Sequence, residues 1–157
     1  METERRLEMT MPIYISKYFV FVLLISAFAL NWVWEVAQSS AYQTAEQSMP
    51  ESLFFCTLAS VIDAVTILGI FIAAAFLFGR GGWKFYLTVA LLGAVCAVAF
   101  EKIAFVFGWW SYHEKMPRVP LLGTGLSPFL QLTILSPLAV WLALFWQSPK
   151  NGSNKRK

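Results

Sequence analysis

The chain has 157 residues, of which 58% are hydrophobic, 17% aromatic and only 13% charged, and its formal net charge is +3 at pH 7. That balance excludes an ordinary water-soluble globular domain. There is no phosphate-cradling glycine loop, and the basic residues flank apolar segments instead of forming a stripe, so nucleotide and nucleic-acid binding are excluded as well.

No charged side chain occurs within 18–34, 52–62, 64–79, 85–100 or 119–148. A helix needs about 20 apolar residues to cross the hydrocarbon core, so the sequence predicts four spans near 17–38, 53–79, 84–108 and 121–146. The expected fold class is all-α: a single polytopic membrane domain built as a four-transmembrane-helix bundle, because helices satisfy their own backbone groups in lipid. A cleaved signal peptide is the competing reading of the first span, since Arg5 and Arg6 precede it and Ser39, Ser40 and Ala41 offer small residues. Its apolar run is longer than the usual stretch of about 7–15 residues and ends in the bulky Trp32 and Trp34, which favours retention.

The first span closes in NWVWEVAQ, residues 31–38. Asn31, Glu35, Gln38 and Tyr42 follow one another at helical spacing and form one polar stripe. The second span carries its own stripe, Cys56, Ser60, Asp63 and Thr66. The short turn GRGGWK, residues 79–84, makes the second and third spans an antiparallel hairpin. Glu101 and Lys102 fall near the end of the third span, and the fourth holds Ser127, Gln131 and an internal Pro137, expected to kink it. Between the last two spans, Pro117, Pro120, Gly123 and Gly125 predict a structured extracytoplasmic loop over the bundle end.

Nine basic residues lie at the N-terminus, the middle turn and the C-terminus, against Lys115 and Arg118 in the third link. The positive-inside rule then makes both termini cytoplasmic in a multi-pass plasma (inner) membrane protein, with 147–157 a flexible basic tail. The tryptophans agree: Trp32, Trp34, Trp83, Trp109, Trp110, Trp141 and Trp146 all fall at span ends. Counted at about 1.5 Å per residue from the outer ends, Glu101 lies about 10 Å deep, Asp63 and Gln131 about 15 Å, and Glu35 and Gln38 near the boundary. The two cysteines, Cys56 and Cys96, differ in depth by about 13 Å, too far for a disulfide.

Four helices thus aim polar groups at one layer, while the opposite half is almost purely apolar. An ionised carboxylate facing lipid costs about 2.5–3.5 kcal/mol or more, so Asp63 and Glu101 are expected to face the bundle interior, where they must be paired, hydrated or protonated. The candidate polar pocket comprises Asn31, Glu35, Gln38, Asp63, Glu101, Tyr112 and Gln131, with Lys102, His113, Trp34, Trp110 and Ser127 as secondary candidates. Plainer readings stand beside these. Asn31, Gln38 and Gln131 can simply tie helices together; His113 is either a proton shuttle or a solvated loop residue; Lys102 either reaches a carboxylate or snorkels to the boundary. No Cys/His spacing suggests a metal, and no cofactor motif is present.

The pattern leads to a binding protein whose outward-facing pocket holds a small amphipathic or lipid-like ligand, or a segment of a membrane protein partner; an oligomer is compatible with it. The first alternative is an intramembrane enzyme in which Asp63 and Glu101 act as acid and base on a lipid or isoprenoid. The second is a small proton-coupled transporter, for which the apolar inner half offers no exit path.

The string NWVWEVAQ with Tyr42, Asp63, Glu101 and WSYHEKMPRVPLLGTGLSPFLQ resembles an uncharacterised family of small four-span bacterial integral membrane proteins. The likeness covers most of residues 31–131 and implies the four-span fold without assigning catalytic residues. Trp110, Tyr112 and the prolines that follow also resemble membrane-embedded carotenoid (lycopene) cyclases, in which an acidic pair follows the proline. Here Pro128 is followed by Phe129 and Leu130.

Overall fold

The computed structural model describes residues 15–42, 48–114 and 116–147. The expected N-terminal charges Arg5 and Arg6, Lys115, and the basic tail beyond Gln147 lie outside the described residues. Four helices are long and apolar enough to cross a membrane among the residues described: α1 (Lys17–Gln38), α2 (Met49–Phe78), α3 (Gly82–Phe107) and α4 (Leu126–Gln147). Among the described residues the regular structure is helical, with a 3₁₀ turn at Ser39–Ala41 and isolated bridges in the connections.

Local chemistry sets the helix ends. The Ser16 hydroxyl accepts a bond from the Phe19 amide at 3.1 Å and so caps α1. Ser48 donates from its amide and hydroxyl to Glu51 Oε2 at 3.1 and 2.8 Å, which starts α2 with Pro50 in its first turn. This is why α2 begins before the apolar run that predicts a start at 53. Between α2 and α3 the backbone passes through positive φ at Gly79, Gly81 and Gly82, a path that only glycine takes without strain. The fourth helix begins at Leu126, five residues later than the apolar pattern predicts, because residues 117–126 form a hairpin instead. Leu126 N bonds to Pro117 O at 2.7 Å and Val119 N to Thr124 O at 2.8 Å. Pro137 lies inside α4, which continues through it as one helix.

Each helix buries a single stripe. In α1 it runs Phe19, Leu23, Ala27, Asn31, Gln38; in α3 it runs Phe85, Val89, Gly93, Ala97, Glu101, Ala104. Both are apolar at one end and polar at the other, and α2 matches them with Phe71 and Ile67 leading to Asp63, Ser60 and Cys56. At the apolar end Phe19 and Phe71 meet with ring centroids 4.7 Å apart, and Phe71 and Phe85 at 6.0 Å. The outward faces carry large exposed apolar side chains along their length, among them Phe21, Ile25, Val65, Ile72, Leu91 and Val95. In water such a surface would be an aggregation liability; against lipid tails it is the expected solvent contact. Cys56 and Cys96 are both free.

Candidate functional site

The polar ends of the α1, α2 and α4 stripes meet around Gln131. Its carbonyl Oε1 accepts from Gln38 Nε2 at 2.8 Å. Its amide Nε2 lies 3.0 Å from Asn31 Oδ1, 2.9 Å from Glu35 Oε1 and 3.0 Å from Asp63 Oδ2. Asn31 presents its oxygen there because its own Nδ2 is spent on the Ala27 carbonyl one turn back, at 2.8 Å. An amide nitrogen has two hydrogens, so three acceptors compete for them. The centre is short of donors.

A chain of hydrogen bonds feeds this hub from the loop end. Trp34 Nε1 donates to Ser127 Oγ at 3.3 Å, Ser127 Oγ donates to Gln38 Oε1 at 2.7 Å, and Gln38 then donates to Gln131. Every step points the same way, so each bond polarises the next, and the chain ends on the carboxyls of Glu35 and Asp63. Seven side chains from α1, α2 and α4 are tied together without a basic group among them.

Glu101 approaches from α3 and is 3% exposed. It faces the Trp110 indole and the Gly125 amide, and the charged group acting on it is Glu35, which also acts on Asp63. Glu101 Oε2, Trp110 Nε1 and Thr124 Oγ1 are buried with no hydrogen-bond partner. Tyr42 stands beside all three carboxyls. Burial, and then the charges of Glu101, Glu35 and Asp63, push its hydroxyl above the ordinary tyrosine range, so it stays neutral.

The connections close over this centre. Tyr42 and Tyr112 pair through their backbones, and His113 N bonds to Ala41 O at 3.1 Å. The Tyr112 ring is held between Tyr42 at 5.6 Å and Phe105 at 4.9 Å, with the Arg118 guanidinium 5.7 Å above it. Its hydroxyl accepts from Gly125 N at 2.6 Å.

Of the candidates read from sequence, Asn31, Glu35, Gln38, Asp63, Gln131, Ser127 and Trp34 form the network, and Glu101 with Trp110 adjoins it through Glu35. Tyr112 is buried, but its hydroxyl engages the loop backbone. Lys102 and His113 are exposed, and the Lys102 ammonium lies on the loop side, where a Cβ on Gly123 would stand 3.6 Å from it. Thr124 and Gly125 are buried, although the GTG triplet reads as turn chemistry and nothing in it signals burial. The depth arithmetic also needs correction. Gln38 and Gln131, placed at different levels by counting from span ends, bond directly. The later start of α4 moves Gln131 toward the loop end, and helices that overrun the apolar layer by different amounts make residue count a poor ruler.

Gly125 is required by this packing. A Cβ there would lie 2.8 Å from Tyr112 Oη and 3.0 Å from Pro128 Cγ. Gly125→Ala is expected to lower stability by about 1–3 kcal/mol, and adding Tyr112→Phe to recover only a small part of that loss, because it removes the struck hydroxyl while Tyr112 Cζ, 2.9 Å from the added carbon, stays in place. Melting midpoints of the two proteins in detergent, followed by tryptophan fluorescence, measure both.

No protein-family model, no curated protein and no solved structure matches the chain.

Proposed function

We propose that the protein is a multi-pass membrane protein that binds a small amphipathic, lipid-like ligand, with the polar end of the ligand at the Glu35, Asp63 and Glu101 centre and its apolar part along the bundle. The observation that carries this reading is Glu101 Oε2, a buried acceptor without a partner beside a network whose donors are already overcommitted. A leftover buried acceptor costs about 1–3 kcal/mol, more when charged, and a site built for an external polar group recovers that energy on binding. Glu35, Tyr42 and Trp110 are partly exposed, so the centre reaches the surface on their side.

In this reading the loop end of the bundle is extracytoplasmic and both termini are cytoplasmic in the plasma (inner) membrane, as the distribution of Lys and Arg supports. Reporter fusions after residue 80 and at the C-terminus should then report the cytoplasmic side.

The test of binding is lipid mass spectrometry on protein extracted into mild detergent. The expected result is a species that co-purifies with the parent protein and falls at least about tenfold with Asp63→Asn, a loss of one charge-assisted bond. An identical lipid profile for both proteins overturns the proposal. The pairing of Glu35 and Asp63 on one amide favours a second reading, acid–base chemistry on an isoprenoid or lipid, in which one carboxyl carries the proton and the other receives it. It predicts a product and not merely a bound species to disappear with Asp63→Asn.

A further inference from the structure

The polar centre is acidic on three of its four sides, and that imbalance constrains the ligand. Glu35, Asp63 and Glu101 come from α1, α2 and α3, and α4 supplies only the neutral Gln131. Of the described lysines and arginines at this end, Lys102 is exposed on the loop side and the Arg118 guanidinium lies over the Tyr112 ring. Three acidic groups in a low-dielectric layer with no cation paired to them among the described residues are unfavourable by themselves. A metal ion does not answer the geometry, because no three His, Cys, Asp or Glu side chains among the described residues stand close enough to hold one. Glu35 and Asp63 converge on the Gln131 amide, and Glu101 stands beside Trp110.

The second observation is independent of the acid count. Glu101 Oε2 is fully buried and makes no hydrogen bond, and the Trp110 indole it faces is left without an acceptor, so a polar group entering between them satisfies both. Around it stand aromatic rings: Tyr42 and Trp110 meet edge to face with centroids 6.3 Å apart, and Tyr42 leans on Tyr112 at 5.6 Å. Carboxylates among aromatic faces are the surroundings in which ammonium groups are recognised, through charge-assisted hydrogen bonds and attraction to the ring quadrupole.

We propose that the ligand's polar end is a protonated amine, carried on an apolar tail, which donates to Glu101 beside the Tyr42 and Trp110 rings, with the Glu35 and Asp63 carboxyls adding to the negative field that favours its charge. This deepens the binding reading above and rests on it. A hydroxyl would also satisfy Glu101 Oε2, accepting in turn from Trp110 Nε1, but it brings no charge to offset three acidic groups. That difference is what the experiment reads.

The full chain in nanodiscs of zwitterionic lipid is titrated with dodecylamine, dodecanol and dodecanoic acid, which share one tail and differ in head. Quenching of tryptophan fluorescence is followed, with soluble tryptophan plus empty nanodiscs as the control for partitioning. The expected result is saturable binding of the amine at least about tenfold tighter than the alcohol, with the acid weakest, and a loss of that preference in Glu101→Gln. Equal binding of amine and alcohol overturns the amine proposal and leaves the binding site standing. Saturable binding of none of the three overturns both. Should Glu101→Gln not fold, the comparison of the three heads on the unaltered protein decides the matter by itself.

Discussion

Gln131→Leu is expected to lower the unfolding free energy by about 3–6 kcal/mol, the largest effect of any single side-chain replacement outside the apolar core. The replacement keeps most of the volume, so little of the loss comes from a cavity. It comes from orphaned groups. Asn31 Oδ1, Glu35 Oε1 and Asp63 Oδ2 lose their shared donor, and Gln38 Nε2 loses its acceptor. Each unmet buried group costs about 1–3 kcal/mol. Glu35 escapes part of this because it is partly exposed. The two carboxyls are also left facing one another across an apolar side chain. Ser127→Ala, which removes a link at the edge of the same chain of bonds, is expected to cost only about 1–2 kcal/mol, since Ser127 and Trp34 are half-buried and Gln38 Oε1 is the one buried group left without its donor. Thermal melting of both variants in one detergent measures the contrast. A Gln131→Leu protein as stable as the parent would mean that the polar centre is held by the helices and does not hold them.

That hub was legible only in part. The helices follow from the lengths of apolar runs, and the facing of Asn31, Asp63 and Glu101 follows from helical periodicity together with the cost of turning a carboxyl to lipid. Those two arguments need no partner residues, and they bring the stripes together in the right half of the bundle. Which side chain joins them is a matter of reach and rotamer. Gln131 reads as one amide among several, yet its two ends meet four other side chains only because α4 starts at Leu126. The start in turn depends on the 117–126 hairpin, where Leu121 and Leu122 belong to an exposed tip although their hydropathy assigns them to the span. Apolar character decides where a chain can enter lipid, whereas proline, glycine and backbone bonds decide where its helix begins. The sharing of Tyr112 between the loop and Gly125 is a contact between segments distant from helical register, and no periodicity encodes it.

Gly93→Ala should separate α3 from α4 and cost about 1–3 kcal/mol, although in an exposed helix the same exchange would stabilise by about 1 kcal/mol. A Cβ on Gly93 would stand 2.3 Å from the Leu132 carbonyl oxygen, 2.9 Å from its carbon and 3.1 Å from Ser136 Oγ. The obstacle is backbone, and the Leu132 carbonyl is further fixed by the bond it accepts from Ser136 Oγ at 2.6 Å, so no side chain can swing away. The helices must move. Gly69 supplies the control: nothing lies within 4 Å of its Cβ position, and Gly69→Ala should leave stability unchanged or raised. Small residues at such crossings let helices approach in lipid, where hydrophobic burial does not drive them together. The consequence for the site is direct, because Leu132 follows Gln131 in α4, and Gly93 shares the buried stripe of α3 with Ala97 and Glu101. Spreading the crossing moves Gln131 and Glu101 apart while leaving both present. Ligand retention in Gly93→Ala should therefore fall by more than its melting midpoint suggests, and restoring the spacing with Ser136→Ala, which removes one of the struck atoms, should recover little, because the carbonyl of Leu132 remains.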